Sequence, residues 1–198
     1  MARKKTITRE QILVAAHQVI SDKGFSHFTA RNIATQMNCS TQPIYLEFKN
    51  MDDLKEALFH LMAEKTSEDF LNSATQAPYL PKLGLSFIMF AKNNRQLYQS
   101  LYLEEELGAK TMQLAFQECF NTLLAKEENA ETLSEDSKKE KFMIFWIYVS
   151  GMASMVSQHI LTYSNVELET MLKAFLKSTK KDKSEMQPLF TLGNLFRN

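Results

Sequence analysis

The fold of this chain is decided by residues 8–55, which read TREQILVAAHQVISDKGFSHFTARNIATQMNCSTQPIYLEFKNMDDLK. Thr8 and Gln11 have the spacing of a capping box, in which each side chain bonds the other residue's backbone amide. Apolar residues then recur at helical spacing as far as Ile20. Gly24 is predicted to end this first helix, because glycine takes the left-handed conformation without steric cost. The stretch therefore begins with one amphipathic helix.

Two further short helices are predicted in the same stretch. Thr29 is predicted to start the second helix, and Asn38 falls in a tight turn, where asparagine tolerates a positive φ. Ser40 is predicted to cap the third helix, and Ile44 and Phe48, four residues apart, are predicted to anchor it inward. Three short helices with this turn are typical of a helix-turn-helix unit, which presents its third helix to the major groove of DNA.

The side chains that point outward from the third helix suit contact with DNA. Gln42 can pair in bidentate fashion with adenine, and Thr41 can bond a base edge or touch a thymine methyl group. Tyr45 and Lys49 are better suited to phosphates, which fix the register without reading sequence. Taken singly, these residues could be no more than a polar helix start; their combination indicates DNA. The predicted DNA-binding residues are Thr29, Arg31, Ser40, Thr41, Gln42, Pro43, Tyr45, Leu46 and Lys49.

The charge of the chain is unevenly distributed. The 198 residues include 23 basic and 23 acidic side chains, and this overall balance by itself argues against a nucleic-acid-binding protein. However, residues 1–50 contain seven basic and three acidic residues, whereas the remainder contains 16 basic and 20 acidic residues. A basic first quarter attracts phosphate locally, and the acidic remainder limits non-specific binding.

Residues 12–58 resemble the DNA-binding domain of TetR-family transcriptional regulators. The family hallmarks stand here as Ala15-Ala16, Gly24-Phe25, Thr29, Ile33-Ala34, Ser40, Tyr45, Phe48 and Leu54. The resemblance implies an all-α fold of about nine helices. An N-terminal three-helix helix-turn-helix domain would occupy residues 1–50, a connecting helix residues 51–74, and a larger helical effector-binding and dimerisation domain residues 75–198.

The same resemblance implies a function and a set of partners. The chain is expected to be a ligand-responsive transcriptional regulator, most often a repressor in this family. Its expected partners are a double-stranded DNA operator, a second copy bound through the last two long helices, and an unknown small-molecule effector. A helix-turn-helix dimer must span half-sites about 34–36 Å apart or a multiple of that distance, so DNA binding itself also requires dimerisation.

Two positions depart from the family pattern. Asn38 stands where the family usually has glycine in the turn, and Met51 stands where a lysine commonly opens the fourth helix and contacts a phosphate. Glu47 also places a negative charge beside the groove-facing surface. Met51 and Glu47 favour an alternative function, a helical interaction protein of the same fold with weak or no DNA binding.

The remainder of the chain has the pattern of long helices. Asn50 is predicted to cap a fourth helix that reaches about residue 73, and residues 77–81 break the chain with two prolines. Helices are predicted over 83–92, 95–103 and 109–126, and after the caps Ser134 and Asn165.

Aromatic side chains are concentrated in these later helices. Stripes of this kind usually form the core, and for each residue alone that interpretation is favoured. The family resemblance implies that some of them line an apolar effector pocket. The predicted pocket residues are Phe87, Phe90, Tyr98, Tyr102, Phe116, Phe120, Phe142 and Trp146.

Several other classes of protein are not supported by the sequence. It contains no Gly-rich phosphate loop, no metal-ligand spacing and no recognisable Ser/His/Asp or Cys/His arrangement, so no catalytic residue, metal site or cofactor is predicted. Cys39 and Cys119 are expected to be reduced thiols. The most apolar run, residues 142–156, is shorter than the roughly 20 residues of a membrane span. A cytoplasmic protein without a membrane partner is expected.

The end of the chain has a pattern of its own. Lys180, Lys181 and Lys183 precede an apolar set consisting of Leu189, Phe190, Leu192, Leu195 and Phe196. This tail could be a short additional helix that covers the body, or an exposed segment that binds a partner.

Overall fold

The computed structural model describes residues 7–127 and 130–179. Within these residues the chain forms nine α-helices and no β-strand, which confirms the all-α prediction. The helices are α1 Arg9–Lys23, α2 Ala30–Gln36, α3 Gln42–Glu47, α4 Met51–Ser73, α5 Tyr79–Asn93, α6 Arg95–Gln99, α7 Glu106–Leu124, α8 Glu135–Ser157 and α9 Asn165–Ser178. A π-helical segment, Ser100–Glu104, follows α6. The predicted apolar tail, residues 180–198, lies outside the described residues.

Four of the predicted helix starts are confirmed by side-chain hydrogen bonds. The Thr8 hydroxyl accepts from the Gln11 amide at 3.3 Å, and the Gln11 side chain accepts from the Thr8 amide at 3.1 Å, which completes the capping box. Thr29, Asn50 and Ser134 likewise accept a bond from a backbone amide three residues further on. Each such bond satisfies an amide that the helix leaves unpaired, so these starts are encoded locally.

Two predicted caps were wrong by one residue. Helix α3 is preceded by Thr41 rather than Ser40, because the turn is one residue longer than predicted, and the Thr41 side chain makes no capping bond. Helix α9 is capped by Ser164 rather than Asn165: Ser164 and Glu167 form a capping box, with the Glu167 carboxylate accepting from the Ser164 amide at 2.8 Å. This pairing serves two backbone amides, whereas a single Asn cap serves one.

The helices of the body, α5 to α9, differ from prediction mainly at their ends. Helix α5 begins at Tyr79 rather than residue 83, because Pro81 lies in its first turn, where the missing amide costs nothing. The helix predicted over 95–103 divides into α6 and the π-helical segment. This segment buries three consecutive residues, Ser100, Leu101 and Tyr102. A regular α-helix would turn one of them away from the core, because successive side chains are about 100° apart.

A single apolar core connects the first three helices with the body. Ile12, Ala16 and Ile20 line the inner face of α1 and are fully buried, together with Ile44 of α3 and Leu54 of α4. Helix α4 then packs along α7, and α5 packs against α8 and α9. Because α4 contacts both α1 and the body, the position of the helix-turn-helix unit depends on how α4 packs.

Three further findings concern the described residues only. None of their helices combines the length and apolar character that a membrane span requires. No group of three or more His, Cys, Asp and Glu side chains in the described parts of the chain is arranged to hold a metal ion. Cys39 is half-buried and Cys119 is buried, and both are free thiols.

Candidate nucleic-acid interface and the region behind it

Helix α3 is held to the core by two side chains. Ile44 is completely buried and Phe48 is 2% exposed, which confirms the predicted anchors. Asn38 adopts a φ of 53° in the turn before the helix, as predicted for that position. A helix of six residues is not stable alone in water, so these contacts determine how α3 is oriented.

The opposite face of α3 is open to solvent. Gln42, Tyr45 and Leu46 are exposed, and Tyr45 and Leu46 keep 52% and 76% of their surface accessible. Ser40 and Lys49 are also exposed, whereas Thr41 and Pro43 are half-buried. The structure therefore brings seven of the predicted DNA-binding residues together on one short stretch of backbone.

The two remaining predicted residues lie at the start of α2. The Thr29 hydroxyl accepts the amide of Asn32 at 3.2 Å and so serves as the helix cap. Arg31 is exposed, and its carbonyl accepts a bond from the Thr35 hydroxyl. Thr29 thus has a structural role here in addition to the predicted contact with DNA.

Arg9 was missed by the sequence analysis. Its Nη1 donates to the carbonyl oxygen of Glu47 at 3.1 Å, and its guanidinium lies 4.1 Å from the centroid of the Phe48 ring. The first contact satisfies a carbonyl at the end of α3, and the second is a cation–π interaction. Arg9 therefore fixes the far end of α3. Arg9 and Glu47 are 38 residues apart, so no local pattern in the sequence predicts the contact.

The junction between α3 and α4 is also fixed by hydrogen bonds. The Asp53 carboxylate accepts from the Lys49 amide at 2.9 Å, while the Asn50 side chain accepts from the Asp53 amide at 2.8 Å. Met51 packs against the core. These contacts hold the backbone and leave the Lys49 side chain in solvent.

Lys55 of α4 connects the N-terminal helices with the body. Its Nζ lies 3.3 Å from Glu105 Oε2, 3.4 Å from Asp52 Oδ1 and 5.8 Å from the centroid of the Phe25 ring. Glu105 immediately precedes α7, and Phe25 immediately follows the first helix at Gly24. Lys55 thus contacts the N-terminal unit and the body at once.

Gly24 marks a second close approach between these parts. It has a φ of 82° and a ψ of 173°, which is a positive-φ conformation but lies outside the left-handed helical region. A Cβ at this position would collide with the side chain of Gln96 in α6. The backbone conformation therefore requires glycine here, whereas the end of the exposed Gln96 side chain can move away from a Cβ.

The predicted effector residues lie at the centre of the body. Phe87, Tyr98, Tyr102, Phe116 and Trp146 form an aromatic cluster in which the Phe87 ring centroid is 5.1 Å from Tyr102, 5.0 Å from Phe116 and 5.2 Å from Trp146. Phe120 and Phe142 are packed beside this cluster, and both are buried. Burial raises the pKa of Tyr98 to about 12 and that of Tyr102 well above its ordinary value of 10.0.

A cavity adjoins the aromatic cluster between α4 and α5. Its volume is about 200 Å³, and it is open to solvent on one side. Phe90 is the one predicted effector residue that lines it. The lining consists of Thr66, Asp69, Phe70, Ser86, Met89, Phe90, Asn93 and Asn94. Most of these are polar residues that an aromatic pattern does not single out.

An all-helical chain whose third helix is anchored inward and open outward after a tight turn is a helix-turn-helix protein. Residues 12–58 match the family model described as bacterial regulatory proteins, tetR family. The N-terminal unit is therefore that of the TetR family, and the chain has the fold of TetR-family transcriptional regulators.

Solved structures share this fold along most of their length. The fatty acid degradation regulator FadR from Bacillus halodurans is similar at 18% identity and a TM-score of 0.61, over 88% of this chain and 95% of that one. FadR from Bacillus subtilis, in complex with stearoyl-CoA, gives 18% identity and a TM-score of 0.62, over 85% and 97%. A TetR-like transcriptional regulator from Rhodococcus sp. RHA1 gives 19% identity and a TM-score of 0.60, over 91% and 100%. A comparison with curated protein sequences gives no match.

Proposed function

We propose that this chain is a transcriptional regulator that binds an operator in double-stranded DNA as a homodimer and is released from it by a small-molecule effector. The exposed face of α3 is the observation that carries the proposal. Its buried anchors, Ile44 and Phe48, orient a surface that nothing else in the described part of the chain covers. In the cell such a repressor acts in the cytoplasm, where its operator lies.

The exposed face divides by chemistry into reading and positioning groups. Gln42 and Thr41 lie at the start of α3, the part of a recognition helix that reaches base edges. Tyr45 on α3 and Lys49, two residues after its end, are both exposed and suit phosphate oxygens. Arg9 contributes by holding the end of α3.

The homodimer is proposed to form through α8 and α9. Helix α8 exposes Ile147 and Met155, of which 63% and 47% remain accessible, on the same side as Gly151. A Cβ added at Gly151 would meet no atom within 4 Å, so another helix can approach closely there. Tyr148 and Phe175 stack at 3.8 Å and fix α9 beside this face. An apolar face that the described chain leaves open suits a twofold partner.

The effector is proposed to act through α4. This helix contacts α1 on one side and the body on the other, and Lys55 bonds Glu105 across the boundary. A molecule that alters the packing of the body would change the spacing of two recognition helices in a dimer. The complex of FadR from Bacillus subtilis, a protein of this fold, with stearoyl-CoA supports a small-molecule effector for this chain.

The decisive experiment is a fluorescence-anisotropy titration of the full chain against DNA from its own upstream region. Gln42→Ala should weaken specific binding by about 1–3 kcal/mol, that is, roughly 5- to 150-fold. Gln76→Ala, an exposed glutamine in the loop before α5, is the matched control and should bind like the wild type. Binding should also weaken with salt, because phosphate contacts release counterions.

The competing function is a helical interaction protein that keeps this fold and has weak or no DNA binding. The exposed Glu47 beside the reading face and the absence of a lysine at Met51 favour it. Salt-insensitive binding by the wild type, or no binding at micromolar protein, would decide for this alternative.

A further inference from the structure

Tyr102 carries a hydroxyl group that has no hydrogen-bond partner among the described residues. The oxygen is buried, and the whole residue is 8% exposed. A hydroxyl buried without a partner costs free energy, and phenylalanine would fill the same space without that cost. Buried polar groups in proteins are nearly always paired, so an unpaired one calls for an explanation.

The surroundings of Tyr102 are aromatic. Its ring stacks on Tyr98 at 5.4 Å, meets Phe87 edge-on at 5.1 Å, and lies 6.2 Å from Phe90 and 6.3 Å from Trp146. Burial keeps the pKa of the hydroxyl well above 10.0, so it stays protonated at neutral pH. It can therefore donate to an acceptor that is brought in among these rings.

Phe90 connects this unpaired group with the exterior. The same ring that lies beside Tyr102 also lines the cavity of about 200 Å³ between α4 and α5. Asp69 is the one charged residue in that lining, and the other polar members are neutral hydroxyl and amide groups such as Thr66 and Asn93. The Asp69 carboxylate therefore repels an anionic molecule, and the aromatic surroundings of Tyr102 disfavour the burial of a charge of either sign.

We propose that Tyr102 is the hydrogen-bonding residue of a binding site for a neutral, aromatic molecule, which enters past Phe90 from the cavity between α4 and α5. This inference rests on the proposed function, in which such a molecule is the effector. It also restricts the ligand class, because a long acyl chain on a phosphorylated carrier would bring several negative charges to Asp69.

The position of Tyr102 connects this site to the boundary of the DNA-binding unit. It lies in the π-helical segment Ser100–Glu104, which ends directly before Glu105, the partner of Lys55. Single π-helical turns are often found at functional sites, where they adjust local helix register. A ligand that repacks Tyr102 therefore acts on the same short segment that positions the Lys55 contact.

The inference is tested on the full-length protein with two fluorinated probes of nearly equal shape, 4-fluorophenol and 4-fluorotoluene. Their binding is followed by the broadening of their ¹⁹F NMR signals. The wild type should bind the phenol about three- to tenfold more tightly, the value of one neutral hydrogen bond. Tyr102→Phe should abolish this preference, and Tyr98→Phe, in the same cluster, should keep it. The anion 4-fluorobenzoate should bind most weakly.

The stability of the variants provides an independent measurement. Removing an unpaired buried hydroxyl should raise the thermal midpoint of Tyr102→Phe by about 2–4 °C above that of the wild type. A preference for the phenol that survives in Tyr102→Phe, or the failure of both neutral probes to bind the wild type at millimolar concentration, would overturn the inference. Operator binding is measured separately: lost DNA binding with an intact probe preference contradicts the proposed function and leaves this site standing.

Discussion

Helix α3 exposes two large side chains to solvent, whereas the aromatic cluster of the body buries its own. Tyr45 and Leu46 remain more than half exposed on a helix of six residues, while Phe87 and Phe116 are almost completely buried among other rings. Each region carries one departure from ordinary packing. In α3 it is exposed apolar surface, and in the cluster it is the unpaired hydroxyl of Tyr102. The departures coincide with the two sites proposed for DNA and effector.

The two regions also depend on the rest of the fold to different extents. Helix α3 is too short to be stable alone and keeps its orientation through Ile44, Phe48 and Arg9. The aromatic cluster is supported from several helices at once. A single substitution should therefore disorder the DNA-facing surface more readily than the centre of the body.

The largest effect is expected from Phe48→Ala. Removing this buried ring should destabilise the protein by about 3–5 kcal/mol, because the substitution leaves an empty space beneath α3. The loss is measured by urea denaturation. Operator affinity should fall with it. Tyr45→Ala is the matched control, since Tyr45 is 52% exposed on the same helix and should change stability little. Equal losses of unfolding free energy in both variants would contradict the proposed difference between the two faces of α3.

This contrast also explains what the sequence could and could not predict. Three helix caps accept a hydrogen bond from an amide three residues further on, so their spacing in the sequence predicts them: Thr8, Thr29 and Asn50. The Ser40 cap was wrong because the turn before α3 is one residue longer than the pattern suggested. The contact between Arg9 and Glu47 depends on tertiary packing, which periodicity does not report.

The body was predictable in a different sense. Its helices and its aromatic stripes followed from periodicity, and Phe87, Tyr98 and Phe116 are indeed buried. The cavity beside them could not be inferred, because its lining of Thr66, Ser86 and Asn93 carries no pattern along the sequence. The π-helical segment was also missed, since buried residues in succession resemble an ordinary apolar helix.

The next effect in size concerns the proposed dimer face. Ile147→Asp should raise the dimer dissociation constant by about 30-fold or more, because a charge would be buried at the centre of an apolar interface. Light scattering after size exclusion measures this change. Leu114→Asp on α7 is the control, since Leu114 is 62% exposed and Ile147 is 63% exposed. A monomeric wild type would contradict the proposed homodimer, and a dimer unaffected by Ile147→Asp would show that its interface does not include this face.

A smaller effect is expected at the boundary between the two regions. The contact of Lys55 with Glu105 is partly exposed, at 22% and 27% of the side chains, so its contribution to stability is about 0.5–1 kcal/mol. A double-mutant cycle with Lys55→Met and Glu105→Gln separates this value from the contact between Lys55 and Asp52. If the boundary transmits the effector signal, both single variants should also change operator affinity. Unchanged operator affinity in both single variants would show that the contact between Lys55 and Glu105 does not transmit the effector signal.

The smallest effect is a pH dependence at His17, on the face of α1 toward α4. Burial lowers the pKa of His17 below its ordinary 6.5, and the charge of Lys65 lowers it further, whereas Asp22 opposes them. The unfolded chain therefore takes up this proton first as the pH falls below 6.5, and the native state loses stability until its own His17 is protonated. His17→Gln should flatten the decline in unfolding free energy between neutral pH and pH 5, measured by urea denaturation at each pH. His60→Gln, an exposed histidine on α4, should leave the decline in place. If the pH dependence of the unfolding free energy is unchanged in His17→Gln, then α1 does not bury an uncharged imidazole against α4. The packing that orients the helix-turn-helix unit would then differ from the one described.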